Sequence, residues 1–258
     1  MLIKSLSDRL ARLILLPLVL FSSTAMAGFD ELNMTRGVTP ISQDVYGLHM
    51  TVMWICVAIG IVVFGVMFWS IFHHRKSRNA VASQFHHSTK AEIIWTIIPV
   101  LIVVGMAIPA TRVLIAMENT GDSDMTIKVT GYQWKWEYEY IDEGVSFFST
   151  LAANSNEARQ LRSNRDPNEV SNYLLDVDKR LVVPVDTKIR FLTTSNDVNH
   201  SWWVPALGWK RDAIPGFINE SWANIEEPGV YRGQCAELCG RGHAFMPIVV
   251  EAKPKAEF

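Results

Sequence analysis

The stretch "YQWKWEYEY" (132–140) alternates aromatic and charged residues almost without a break. In extended chain Trp134, Trp136, Tyr138 and Tyr140 fall on one face, and Lys135, Glu137 and Glu139 on the other. That is the period of a half-buried β-strand. "MTIKVTG" (125–131), just before it, alternates in the same way. Further short strands are predicted at 180–185, 188–194, 220–225, 230–234 and 247–251. Gly, Pro, Asn and Asp separate them, so residues 118–258 read as one all-β sandwich. The polar run "SNEARQLRSNRDPNE" (155–169) has no strand period and predicts an exposed loop with at most one helical turn.

Upstream the character changes. The chain is 49% apolar, and the excess lies in two runs. "MTVMWICVAIGIVVFGVMFWSIF" (50–72) carries no charge, and 93–117 carries only Arg112 near its end. Each is long enough to span a bilayer. Pro99 and Pro109 in the second are tolerated inside packed membrane helices. The loop between the spans holds Arg75, Lys76, Arg78 and Lys90, whereas 28–49 holds only Arg36. The positive-inside rule therefore puts the loop in the cytoplasm and both flanks outside. Residues 1–27 read as a cleaved export signal, with Lys4, Arg9 and Arg12 before the short core "LILLPLVLF" and an A-x-A pattern at 25–27. The expected division is thus a signal (1–27), a two-helix hairpin with its lead-in (28–117) and an external β-domain (118–258). That domain has 21 Asp and Glu against 15 Lys and Arg, a balance that suits a basic partner. His73, His74, His86 and His87 read as interfacial residues of the basic loop.

"GQCAELCGRGHAFMP" (233–247) carries the chemistry. Cys235, Cys239, His243 and Met246 fall within twelve residues. Thiolates select zinc, iron–sulfur clusters or copper. A methionine in the set points away from zinc, and two cysteines are too few for a cluster. A blue-copper site takes one cysteine and two histidines. Here there is one cysteine more and, locally, one histidine fewer. His200, in "DVNHSWWVP" after the strand at 188–194, can supply the second histidine if loops gather at one end of the sandwich. Two bridging thiolates would then hold two copper ions. Met246 would be a weak axial ligand to one, and a backbone carbonyl between the cysteines can serve the other. Cys56, in the first span, is a small apolar filler, and no haem-attachment motif occurs.

"DVNHSWWVPALGWKRDAIPG" and "PGVYRGQCAELCGRGHAFMP" closely resemble cytochrome c oxidase subunit II. "AEIIWTIIPVLI" (91–102) and "GYQWKWEYEY" (131–140) resemble it too. The resemblance implies a cupredoxin-like barrel that takes electrons from reduced cytochrome c at a binuclear copper centre. They pass to haem in subunit I, where oxygen is reduced and protons are pumped. It assigns His200 and Met246 to one copper, and His243 and the backbone carbonyl of Glu237 to the other, with Cys235 and Cys239 bridging. The Glu237 side chain would share a magnesium ion with subunit I. Trp134 matches the aromatic electron-entry residue, although Lys135 stands where the family often has another aromatic. Glu92 matches a carboxylate at the mouth of a proton path. Glu137, Glu139, Asp142, Glu143, Asp178 and Asp197 are candidate docking carboxylates for cytochrome c, and 144–176 is longer than in short family members. The expected setting is the bacterial inner membrane, beside other oxidase subunits, with no haem in this chain and no nucleic-acid partner. A quinol-oxidase-like subunit would lack the copper ligands. A membrane-anchored copper-delivery protein would carry exposed, exchangeable ligands. A nitrous-oxide reductase type copper domain would lack the hairpin.

Overall fold

The computed structural model describes residues 33–78, 81, 84 and 86–258; the expected export signal lies outside them. Every helix and strand among the described residues belongs to one compact unit, Arg36–Phe258.

Helix α1 (Pro40–His73) begins ten residues before the predicted span. The reason is local. Thr39 Oγ1 accepts from the Ser42 amide at 3.0 Å while Ser42 Oγ accepts from the Thr39 amide at 2.9 Å, and Pro40 occupies the first helical position. This reciprocal cap satisfies two otherwise orphaned N–H groups. The first turn is buried: Ile41 joins the β-domain core, and Thr39 Oγ1 donates to the Leu207 carbonyl at 3.0 Å. Helix α2 (Thr89–Met117), capped by Ser88, runs through Pro99 and Pro109. Both helices are long and apolar enough to cross a membrane, and their apolar side chains are largely exposed. Such a surface needs lipid or protein against it. At its end α2 is held to the β-domain: Trp222 Nε1 donates to the Ala116 carbonyl at 2.9 Å, and Arg211 pairs with Glu118 at 2.9 Å.

Ten strands form two five-stranded sheets. The first contains β1 (Met125–Tyr132), β2 (Lys135–Tyr140), β3 (Val145–Ser149), β5 (Lys188–Ser195) and β8 (Asn219–Asn224), in the order β3-β2-β1-β5-β8. The second contains β4 (Leu181–Pro184), β6 (His200–Trp203), β7 (Lys210–Ala213), β9 (Gly229–Cys235) and β10 (Pro247–Lys253), in the order β4-β10-β9-β6-β7. The β1–β5 and β4–β10 pairs are parallel and the others antiparallel. Trp202 stacks on Phe191 at 5.3 Å, and its Nε1 donates to Tyr138 Oη at 3.3 Å across the sandwich.

Three expectations change. The single strand expected at 132–140 opens with a hairpin: Tyr132 closes β1, Gln133 and Trp134 make the turn, and Lys135 opens β2. Trp134 therefore sits in the turn and is only partly buried against the core, whereas Trp136, Tyr138 and Tyr140 lie at 0%, 0% and 7% exposure. His200 opens strand β6 rather than sitting in a loop, and β3 and β7 are additional strands. The helical turn expected within 155–169 is the last part of helix α3 (Ala153–Ala158), and a 3-10 turn follows at Pro167–Glu169. Arg232 Nη1 ties this insertion to β9 by pairing with Asp176 at 2.9 Å and donating to the Leu175 carbonyl at 2.6 Å.

Candidate metal centre

The strand order brings the soft side chains together. β9 ends at Cys235, pairs with β6 at Trp202 and with β10 at Pro247, so three strand ends meet. His200 arrives from β6, and the β9–β10 loop contributes Cys239, His243 and Met246. Cys235 Sγ lies 3.8 Å from Cys239 Sγ, 3.8 Å from His200 Nδ1 and 3.4 Å from the Glu237 carbonyl oxygen. Cys239 Sγ lies 3.6 Å from His243 Nδ1 and 3.7 Å from Met246 Sδ. A disulfide needs about 2.05 Å between sulfurs, so both cysteines are free thiols. Atoms sharing a first-row metal are different. With bonds of about 2.3 Å to sulfur and 2.0–2.1 Å to nitrogen at a tetrahedral angle, they sit about 3.6–3.8 Å apart. The observed spacings match that frame, and the donor set of two thiolates, two imidazoles, a thioether and a carbonyl fits a soft metal.

The ligands are held from behind. His200 is fully buried, and its Nε2 lies 2.9 Å from Asp197 Oδ1. A proton on Nε2, donated to that carboxylate, turns the Nδ1 lone pair toward Cys235. Asp197 also accepts from the amides of Gln133 and Val198, each at 2.7 Å. Burial raises the Asp197 pKa, but the His200 contact and these amides outweigh it, and the net shift is downward. Gly131 lies under the His200 ring, where a Cβ would come within 2.8 Å of Cδ2. Trp136 packs edge-on to His200, with centroids 5.9 Å apart, and its Nε1 donates to the Met246 carbonyl at 3.2 Å. One indole thus spans both ends of the ligand set.

Trp134 lies across the ligand loop. Its Nε1 donates to the Cys239 carbonyl at 3.1 Å, beside Gln133 Nε2 at 2.9 Å. The thiols are electrostatically unequal. Burial raises the Cys235 pKa, but contacts from His200, backbone amides and His243 bring it down to about 7. Burial and the neighbouring Cys235 charge push Cys239 up to about 12. Metal binding would displace the thiol protons that remain on the pair.

The other expected residues scatter. Glu137 accepts from Tyr132 Oη at 2.8 Å, and Glu139 pairs with Lys128 at 3.2 Å. Asp142 accepts from the Thr126 amide at 3.3 Å, Asp178 caps the amides of Thr150 and Lys179, and Glu143 is exposed. Asp197 is engaged in positioning His200. The Glu237 side chain is exposed, and Glu92 opens α2 with His87 Nδ1 at 3.3 Å. The site roles of Trp136, Gln133 and Gly242 are not signalled by the sequence, where Trp136 reads only as part of a buried strand face.

Residues 125–253 match the family model for the cytochrome c oxidase subunit II periplasmic domain, and 27–113 match that for its transmembrane domain. The chain belongs to the cytochrome c oxidase subunit II family. It is a membrane protein and a subunit of an oxidoreductase complex. A probable cytochrome c oxidase subunit 2 of Rickettsia bellii is 39% identical over 248 residues, 95% of this chain and 88% of that protein. The Arabidopsis thaliana subunit 2 is 39% identical over 229 residues, 88% of this chain and 86% of that one. The solved periplasmic domain of subunit II from Bradyrhizobium japonicum is 42% identical, covers 54% of this chain and 91% of its own, and gives a TM-score of 0.45.

Proposed function

We propose that His200, Cys235, Cys239, His243, Met246 and the backbone carbonyl of Glu237 hold two copper ions, with both thiolates bridging. The observation that carries this is the set of four donor atoms around two thiol sulfurs 3.8 Å apart. His200 and Met246 would serve one ion, and His243 and Glu237 the other. When bound, the pair supplies a one-electron store whose bonds change little between oxidation states. The chain's part is to hold the ligands still: Asp197 fixes the His200 ring, Trp136 fixes Met246, and burial excludes water.

Trp134, hydrogen-bonded to the residue that carries one bridging sulfur, is the proposed contact for reduced cytochrome c. The carboxylates Glu137, Glu139, Asp142, Glu143, Asp178 and Asp197 would steer that basic donor in a salt-sensitive way. The Glu237 side chain would share magnesium with subunit I, and Glu92 would sit at a proton-path mouth. Haem and oxygen reduction belong to subunit I. Signal removal near residue 28, the cytoplasmic basic loop and a β-domain on the periplasmic face of a bacterial inner membrane complete the reading. The buried thiols, at 5% and 3% exposure, suit retained copper better than delivery of exchangeable copper.

The test is electron paramagnetic resonance of the full chain in detergent, loaded with copper. Hyperfine structure shared over two equivalent copper nuclei is expected. A signal localised on one copper, or metal lost to a mild chelator, would overturn the proposal.

A further inference from the structure

We propose that the insertion after β3 and the ligand loop after β9 together form a binding site for a small molecule bearing several oxyanion groups. A cavity of about 460 Å³ lies between them. Its lining includes Arg159 with Phe245, Arg241 with Trp134, and the polar residues Thr150 and Asn156. The Arg159 guanidinium sits 4.2 Å from the Phe245 ring centroid, and that of Arg241 5.7 Å from a Trp134 ring. Stacking on a ring fixes a guanidinium without using its N–H donors, which point outward in its plane. Arg159 engages only Nε, donated to Asn156 Oδ1 at 2.8 Å.

Among the described residues neither guanidinium pairs with a carboxylate, whereas Arg165, Arg180, Arg190, Arg211 and Arg232 each do. Of the carboxylates in and beside the insertion, Glu157 pairs with Arg165, Asp166 caps Asn168, Asp176 pairs with Arg232, Asp178 accepts from two backbone amides and Glu169 is exposed; none of them is in the cavity lining. Two cations in one cavity lining that includes no carboxylate form a receptor for phosphate or carboxylate groups. The volume exceeds a single oxyanion, and the aromatic walls leave room for the body that links several. On this account the insertion serves to bring Arg159 over the loop that carries His243 and Met246.

The test is isothermal titration calorimetry of the metal-free full chain in detergent, at constant ionic strength. Pyrophosphate and citrate are the probes, because metal would compete for both. Saturable one-to-one binding below about 1 mM is expected. Arg159→Gln and Arg241→Gln should each weaken it about tenfold or more, and the double variant should abolish it. The better probe assigns phosphate or carboxylate as the ligand's group. Circular dichroism checks that the variants fold. Absence of saturation with both probes, or unchanged affinity in a folded double variant, overturns the proposal. Using metal-free chain separates this outcome from the copper reading, which can fail while the anion site stands.

Discussion

Gly242→Ala tests the fit between Trp134 and the ligand loop. Gly242 has φ −97° and ψ 9°, a negative-φ turn conformation open to alanine, so no left-handed backbone penalty arises. The penalty is steric. A Cβ would stand 2.2 Å from Trp134 Cδ2, 2.3 Å from Cγ and 2.6 Å from Cε3. Carbon atoms pack at about 3.5–4.0 Å, so the indole must move by more than 1 Å, roughly. Its Nε1 is bonded to the Cys239 carbonyl at 3.1 Å, and that bond goes with the displacement. Overpacking costs about 1–3 kcal/mol and the lost bond about 0.5–1.5, roughly 2–4 kcal/mol together. For a chain of this size that lowers Tm by roughly 5–15 °C. Thermal unfolding of the metal-free full chain, followed by circular dichroism, reads the shift. The control is the same substitution in a Trp134→Ala background, where the clash has no partner. There Gly242→Ala should cost less than about 0.5 kcal/mol. Equal costs in the two backgrounds would refute the packing account.

Asp197→Asn removes the carboxylate that fixes the His200 ring, and metal affinity should fall about 10–100-fold in a chelator competition; unchanged affinity would remove Asp197 from the positioning role. Trp136→Phe keeps an aromatic group but removes Nε1–H and part of a fully buried indole, leaving the Met246 carbonyl without its donor beside a cavity, a loss of about 2–4 kcal/mol in denaturant unfolding, and a neutral result would contradict that assignment. Cys235→Ser should reduce bound copper, measured by elemental analysis of the purified chain, from two ions to at most one. Two ions retained would show that Cys235 does not bridge.

The site was legible where chemistry is written in residue type. Two thiols, two imidazoles and a thioether select a soft metal whatever the backbone does, and the structure gathers those five side chains. The fold was legible where side-chain period decides it, as in β1, β5 and β10. It was less legible where hydrogen-bond partners decide. Trp134 continues the aromatic alternation perfectly, yet the chain reverses beneath it, and no Gly, Asn or Asp marks the turn. The start of α1 carried its signal in Thr39, Pro40 and Ser42, but hydropathy alone sees only the apolar run ten residues later. Trp136 acts on Met246 across 110 residues, so its role appears only once β2 and β10 are in place. Asp197 lies three residues before His200, yet nothing in residue type tells a positioning carboxylate from a surface one.

The buried first turn of α1 has a mechanical consequence. Thirty-four helical residues make a rod of about 50 Å, roughly 20 Å longer than the hydrocarbon layer it serves. Its upper end is locked into the β-domain by Thr39 and Ile41, and α2 is fastened by Trp222 and Arg211. No slack tether intervenes at either junction. The hairpin therefore works as a pair of struts, and helix pitch, rather than the wandering of a linker, sets the height and azimuth at which the domain meets anything embedded beside it.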